Sequence, residues 1–380
     1  SFGGGDGMVT TDLSSQDEAY AVGVQSDGKI VVAAYYAPGN IAVLRYTTSG
    51  VLDLTFGGGD GFVTTDLGGN DIPYALAIQG DKIVVVGSNN RTNPPSDIAV
   101  LRYTNSGEPD LSFDDDGIAI ADTGSSEQGR AVAIQSDGMI VVAGYSDGDF
   151  VVLRYDDDGS LDPTFGTSGV ARTNIGSSDA AKALAIQPLD QKIIVVGEYW
   201  NGSENVLAAV RYNSDGTLDT TFDTDGIATA NIVGVSDESA NSVAIQTDGK
   251  IVLGGHSHTA TRFALVRLNA NGSVDTSFGE NGFAITAYQN SSIGEAVAIQ
   301  SGGRIVLGGT TYDGMDNKAA VVRYMPDGSL DSAFGICAFG GPTADAFGKA
   351  LKIQDDGRLL VAGYAYSGGD YDIMLLRVLP

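Results

Sequence analysis

The chain has one cysteine, Cys337, in 380 residues. That excludes an internal disulfide and leaves the redox compartment open. It is short of positive charge, with 21 Lys and Arg against 48 Asp and Glu and a formal net charge of -27. A field of that sign repels phosphate backbones and anionic headgroups, so nucleic acid is excluded as a partner and insertion into a membrane is not expected. No apolar run approaches the roughly 18 residues of a membrane-crossing helix. There is no Gly-Lys-Ser/Thr phosphate loop, and no nucleophile–base grouping stands out among the many serines. The chain opens on Ser1-Phe2-Gly3 without an initiator Met, which reads as a processed product or a fragment, here a monomeric domain of a larger protein.

What the chain has is glycine, 53 residues of it, and 42% hydrophobic residues against 18% charged. Both are distributed by a repeat. An Ala-Ile-Gln-like run is followed by Asp-Gly, Lys-Ile-Val-Val-Ala-Gly, Val-Leu-Arg-Tyr and Asp-Gly-Ser-Leu-Asp-x-x-Phe-Gly. Seven glutamines anchor it: Gln25, Gln79, Gln135, Gln187, Gln246, Gln300 and Gln354, at spacings of 52 to 59. A period in that range means one supersecondary unit stacked on copies of itself, in one domain spanning 1–380.

One copy gives the unit. Ala131–Gln135 is strand A, Met139–Tyr145 strand B, Phe150–Tyr155 strand C and Val170–Asn174 strand D, with Asp-Gly turns after A and C. Strand B decides the architecture. In Lys29-Ile30-Val31-Val32-Ala33 both faces are apolar, so each sheet must be covered on both sides. The pattern predicts an all-β, seven-bladed β-propeller of four-stranded antiparallel blades, with an open β-solenoid as the other arrangement of such repeats. The C-strand arginine precedes a phenylalanine by 11 in six copies, from Arg45–Phe56 to Arg323–Phe334, while Arg377 has no partner ahead of it. Its missing piece stands at the other end, as Phe2 and the strand Met8 to Asp12. The N-terminal strand is therefore expected to pair with the last blade and close the ring.

Of the 21 positive charges, 13 sit at repeat positions, as C-strand arginines or openers of strand B, and serve the scaffold. Pairs such as Arg154 with Asp162 and Arg211 with Asp219 read as braces of the C-to-D connection. Phe165 and its counterparts read as buried plugs.

The run Ala-Ile-Gln-Ser-Asp-Gly-Lys-Ile-Val-Val-Ala-Gly and its seven recurrences resemble the delta-60 repeat family of bacterial β-propellers. The same run is similar to the start of a WD40-like blade, with Arg-Tyr where Trp-Asp would stand. The resemblance implies a propeller in a secreted or cell-surface setting, extracellular or periplasmic, and brings no catalytic residues.

Loop lengths separate the two ends of each sheet. The A-to-B and C-to-D connections are near constant. The distance from strand B to the C-strand arginine runs from 10 (Gly144 to Arg154) to 15 (Gly87 to Arg102), and the D-to-A connections vary too. Variable loops on a rigid frame are where binding resides. Strand B ends at that variable side with Tyr35, Tyr36, Tyr145, Tyr199, Trp200, His256, His258, Tyr312, Tyr364 and Tyr366. Aromatic rings beside carboxylates and amides suit sugar faces or a protein surface; rings wedged between blades as packing is the plainer reading. His256 and His258 share a strand face and so could approach one metal, with no third ligand nearby in sequence. Asp114, Asp116, Asp156, Asp158, Asp223 and Asp225 resemble fragments of calcium loops, against ordinary turn chemistry.

The expected function is a glycan- or protein-binding module using the variable-loop face. Two alternatives stay open. One is a metal-dependent hydrolase or lactonase with an acidic axial site, drawn from Asp17, Glu18, Asp71, Glu127, Asp179, Glu238, Glu295 and Asp345. The other is a structural spacer in a surface protein.

Overall fold

Twenty-eight strands form seven sheets of four among the described residues, which are 2–90, 96–124, 126–231, 238–257, 261–341 and 345–379 of the computed structural model. Six of the sheets run A-B-C-D in sequence order, and the strands of every sheet pair antiparallel. Blade 1 shows the plan: A is Asp17–Val24, B Ile30–Tyr36, C Asn40–Tyr46 and D Phe62–Thr65. The fold is the seven-bladed β-propeller that the repeat predicts. No helix is long and apolar enough to cross a membrane among the described residues.

The seventh sheet has its own A, B and C (Ala346–Ile353, Leu359–Ser367, Asp370–Val378) and takes its D strand from the N-terminus. Met8–Thr11 pairs antiparallel with strand C of that blade, Met8 opposite Leu376 and Thr11 opposite Ile373. This is the latch that Phe2 and Arg377 predict.

The chain divides into two compact units. One comprises Ser1–Val142, Tyr155–Leu161 and Gly340–Pro380; the other comprises Ala143–Arg154 and Asp162–Phe339. In the first, alternate residues of strand B face opposite neighbours. Ile30, Val32 and Ala34 join a core with Leu360, Ala362, Ile373 and Leu375 of blade 7. Val31 and Ala33 join another with Ile83, Val85, Ala99 and Leu101 of blade 2. In the second unit, Ile194 and Val196 pack with Ile251 and Leu253, while Val252 packs with Ile305 and Leu307. Full burial of such a side chain is worth about 1.5–3 kcal/mol, so a strand buried on both faces contributes twice over.

The A–B and C–D ends carry one device in every blade. Arg45, Arg102, Arg154, Arg211, Arg267 and Arg323 each donate through Nε to an aspartate eight residues on, at 2.6–2.9 Å. The same guanidinium lies over the following phenylalanine, 4.4–4.8 Å from the ring centroid. In Arg45, Arg102, Arg154, Arg211 and Arg267 the Nη1 reaches the C–D turn of the next blade, as in Arg211 to the Ala270 carbonyl at 2.6 Å and Arg102 to Asp157 Oδ1 at 2.6 Å. Arg377 completes the set with Phe2 at 4.5 Å and the Thr48 carbonyl at 2.8 Å. The strand-B openers Lys29, Lys82, Lys192 and Lys250 bind the same aspartates at 2.8–3.1 Å. Burial favours the neutral form of Asp53, Asp110, Asp219 and Asp275. Hydrogen bonds from the neighbouring hydroxyl and lysine, with the arginine charge, outweigh it and hold these carboxyls well below the usual range.

The phenylalanine plugs are buried as expected at Phe56, Phe113, Phe165, Phe222 and Phe278, and half-buried at Phe334. The cover is the next blade's C–D turn. Gly107 sits there at φ +91°, where a Cβ would come within 2.9 Å of the Phe56 ring, so conformation and space both require glycine.

Candidate functional site

The B–C and D–A ends carry the variable chemistry. In the first unit, blade 7 gathers four aromatic rings. Cross-strand register sets Phe347 of strand A opposite Tyr364 of strand B, and Tyr366 opposite Tyr371 of strand C. Phe347 and Tyr364 stack with centroids 4.7 Å apart and planes 28° from parallel. Tyr371 stands edge-on to Phe347, Tyr364 and Tyr366 at 6.0, 5.4 and 5.6 Å. All four rings are half-buried. Burial, then the charges of Asp345 and Glu18, raise the Tyr371 phenol.

Beside them the sequence reading missed a further set. Strand A slips register at one repeat position in six blades. Such a bulge re-aims one side chain. The residues there are Tyr20, Tyr74, Lys182, Asn241, Glu295 and Lys349, with Arg130 at the matching place in blade 3. In the first unit Tyr20 and Tyr74 meet edge-to-face at 5.9 Å, and the Arg130 guanidinium lies 3.9 Å from the Tyr74 centroid. Tyr20 donates to Glu18 at 2.8 Å. In the second unit the same positions are ionic. Lys182 donates to Ser239 at 2.7 Å and pairs with Glu198 at 3.0 Å. The Asn241 amide donates to the Gly294 carbonyl at 2.8 Å and lies 3.3 Å from His256 Nδ1. The signal was present in sequence: three of the eight non-scaffold cations, Arg130, Lys182 and Lys349, fall at this one repeat position.

The other predicted aromatics are dispersed. Tyr35 is half-buried opposite Glu18, and Tyr36 packs on the core shared by blades 7 and 1. Tyr145 and Tyr199 are half-buried on blades 3 and 4, the latter opposite Asp179. Trp200 and Tyr312, at 37% and 38% exposure, end strand B of blades 4 and 6, so the second unit does not gather its rings on one blade. His256 is buried, and His258 lies outside the described residues.

The aspartates read as calcium fragments lie at the C–D ends and are engaged in their turns. Asp114 and Asp223 adopt φ of 47° and 42°, the left-handed region that Asp tolerates. Asp116 and Asp225 accept the N–H two residues on, each at 2.9 Å. Asp158 accepts both N–H and hydroxyl of Ser160, and Asp156 donates its N–H to the Ser160 carbonyl at 2.9 Å. The D-to-A carboxylates also turn back into their own loops. Asp17, Asp71 and Asp179 accept backbone N–H groups from Leu13, Leu67 and Ile175 at 2.6–2.7 Å. Among the described residues, three acidic side chains bring oxygens within 4.8 Å of one another at Asp97, Asp122 and Glu127.

Two cavities lie elsewhere. One of about 410 Å³ is lined by strand-A residues Val22, Val24, Leu76, Ile78, Val132 and Ile134, with Lys352. One of about 510 Å³ runs along the D strand of blade 5 beside Arg262 and Glu280. Neither contains the aromatic cluster.

No curated protein is detectably similar in sequence. Solved structures share the architecture. The chain is similar to virginiamycin B lyase from Staphylococcus aureus, solved as a catalytically inactive variant with quinupristin, at 13% identity and a TM-score of 0.58, covering 98% of this chain and 99% of that one. Hydrazine synthase from Kuenenia stuttgartiensis gives 12%, 0.60 and 97% of each chain. YCF48 from Cyanidioschyzon merolae gives 11%, 0.53, and 97% of this chain with 98% of that one. At such identities the likeness is one of fold. The sequence pattern described as "Domain of unknown function (DUF5122) beta-propeller" matches seven times, at 25–56, 79–113, 135–165, 190–222, 246–278, 300–334 and 354–380. These matches start at or near the seven anchoring glutamines and take in more than half of the chain, which therefore belongs to the DUF5122 β-propeller family.

Proposed function

We propose that this chain is a recognition module, secreted or displayed at the cell surface as a monomeric domain of a larger protein, which binds a glycan at its variable-loop ends. The observation that carries the reading is the blade-7 cluster. Four half-buried rings stand edge-on and stacked, with Asp345 and Glu18 close to the central phenol. Ring faces take the C–H face of a sugar, and the carboxylates and phenols take its hydroxyls. A spacer has no use for half-exposed rings held by cross-strand register. The hydrolase reading loses support because Asp17, Asp71 and Asp179, which it needed at the axis, are bound to their own turns.

A glycan array on the intact chain is the test. The expected result is binding to a defined set of sugars, reduced tenfold or more by Tyr371→Ala and by Tyr364→Ala. A blank array, with a protein partner captured at the same rings, would replace the ligand class and keep the site. Glycan binding that survives both substitutions would overturn the site itself.

A further inference from the structure

Where strand C begins and strand D ends, the two residues face each other across the sheet, next to the carboxylate that opens strand A of the following blade. Carried one residue past the last ladder pairs, Ile41 with Thr65 and Phe150 with Thr173, the register leads to Asn40 by Asp66 in blade 1 and Asp149 by Asn174 in blade 3. Each is one carboxylate with one amide. In blade 3 the amide neutralises the pair directly, Asn174 Nδ2 donating to Asp149 Oδ1 at 2.7 Å. Blade 2 departs from this. One residue past the last ladder pair, Ile98 with Ala121, its register leads to Asp97 and Asp122, two carboxylates side by side, an arrangement that repels, as Asp372 and Asp12 do in blade 7. The following blade adds a third in Glu127, and the three oxygens lie within 4.8 Å of one another.

Two buried polar groups at this place lack partners. Glu127 is fully buried; its Oε1 accepts the Thr123 N–H, and its Oε2 has no hydrogen-bond partner. By contrast the oxygens of Asp17, at the equivalent position of blade 1, take three donors. Tyr155 is also buried with its hydroxyl unpartnered. In blades 1, 2, 4 and 6 the matching tyrosine hydroxyl bonds a threonine of the preceding D strand; blade 2 ends that strand in Ala121. A buried unpaired carboxylate oxygen beside two further carboxylates is costly unless a cation joins it.

We propose that Asp97, Asp122 and Glu127 form a binding site for one hard divalent cation of the calcium class. Three carboxylates supply oxygen ligands only, which selects Ca²⁺ over the softer metals that prefer nitrogen or sulfur. The site spans strands C and D of blade 2 and strand A of blade 3, so an ion there ties consecutive blades together. It is separate from the aromatic cluster.

The test is titration of the metal-stripped chain with CaCl₂ by calorimetry, with the thermal midpoint read alongside. One saturable site and a rise in midpoint of several degrees are expected. Asp122→Asn, which installs the residue that blade 3 already uses at this position and alters an exposed side chain, should weaken binding at least tenfold and remove the midpoint shift. Asp97→Asn should do the same, while Asp116→Asn at a C–D turn should leave both unchanged. Absence of saturable binding up to millimolar Ca²⁺ would overturn the proposal. So would binding that persists unaltered in Asp122→Asn, or a Ca²⁺-independent gain in midpoint from that substitution as its sole effect, which would mean the carboxylates share a proton instead.

Discussion

Each blade has two ends, and the seven copies treat them differently. At the A–B and C–D end an arginine, a phenylalanine and, in six blades, an aspartate recur with the same contacts, and even the blade built from both termini reproduces the ring contact with Phe2. At the B–C and D–A end the same structural positions hold stacked aromatics in one unit and a lysine–glutamate–asparagine–histidine network in the other. A repeat can vary one end freely only when the other fixes blade to blade. The fixed end accounts for stability, and the free end is available for recognition.

Substitutions at the two ends should therefore differ in kind. The largest effect is expected from Arg102→Ala. It removes a fully buried guanidinium that binds Asp110, Ser112, Gln79 and Asp157, and should cost about 3–5 kcal/mol in urea denaturation. Phe2→Ala should cost about 3 kcal/mol by emptying the plug under Arg377. A cost near zero would mean that the N-terminal strand does not latch. Ala121→Thr should gain about 1 kcal/mol by giving the Tyr155 hydroxyl the partner that four other blades supply. Smallest in stability is Tyr366→Ser at the rim, which loses one edge-on contact with Tyr371 and should cost about 0.5–1 kcal/mol, although its loss should be felt in ligand binding.

Titration separates the ends as well. The Asp53, Asp110, Asp219 and Asp275 carboxyls are held low, so their stabilisation is in place above the unfolded value of about 3.9 and is lost only as pH falls through the depressed folded values. Glu127 works in the opposite sense. Burial raises it first, with Asp122 and Asp97 adding to the rise, so its ionised form opposes folding at neutral pH and the opposition fades as pH falls. In metal-free buffer Glu127→Gln should stabilise the chain at pH 7, and the gain should shrink toward pH 4.

The architecture was legible because it is written in period and in strand B. Lys29-Ile30-Val31-Val32-Ala33 has no polar face, and the structure buries Ile30 to Ala34 completely between two neighbours. The latch was legible from the arginine left without its phenylalanine. The site was legible only in part. Tyr364 and Tyr366 were visible as rim residues, but Phe347 and Tyr371 join them through cross-strand register, which a single strand does not reveal. The bulge at Tyr20, Tyr74 and Lys182 was hidden for the same reason, since a slip of register depends on the partner strand. The run Asp114-Asp115-Asp116-Gly117 drew notice as a string, whereas Asp97 and Glu127 come from two strands and Asp122 from the end of a third, without any local motif.

The most direct measurement is the affinity of a glycan found on the array for two variants, one at each end: Tyr371→Ala at the rim and Thr55→Ala beside the Arg45 brace. The account predicts at least a tenfold loss of affinity for the first and no change for the second. Equal affinities, or a loss confined to Thr55→Ala, would contradict it.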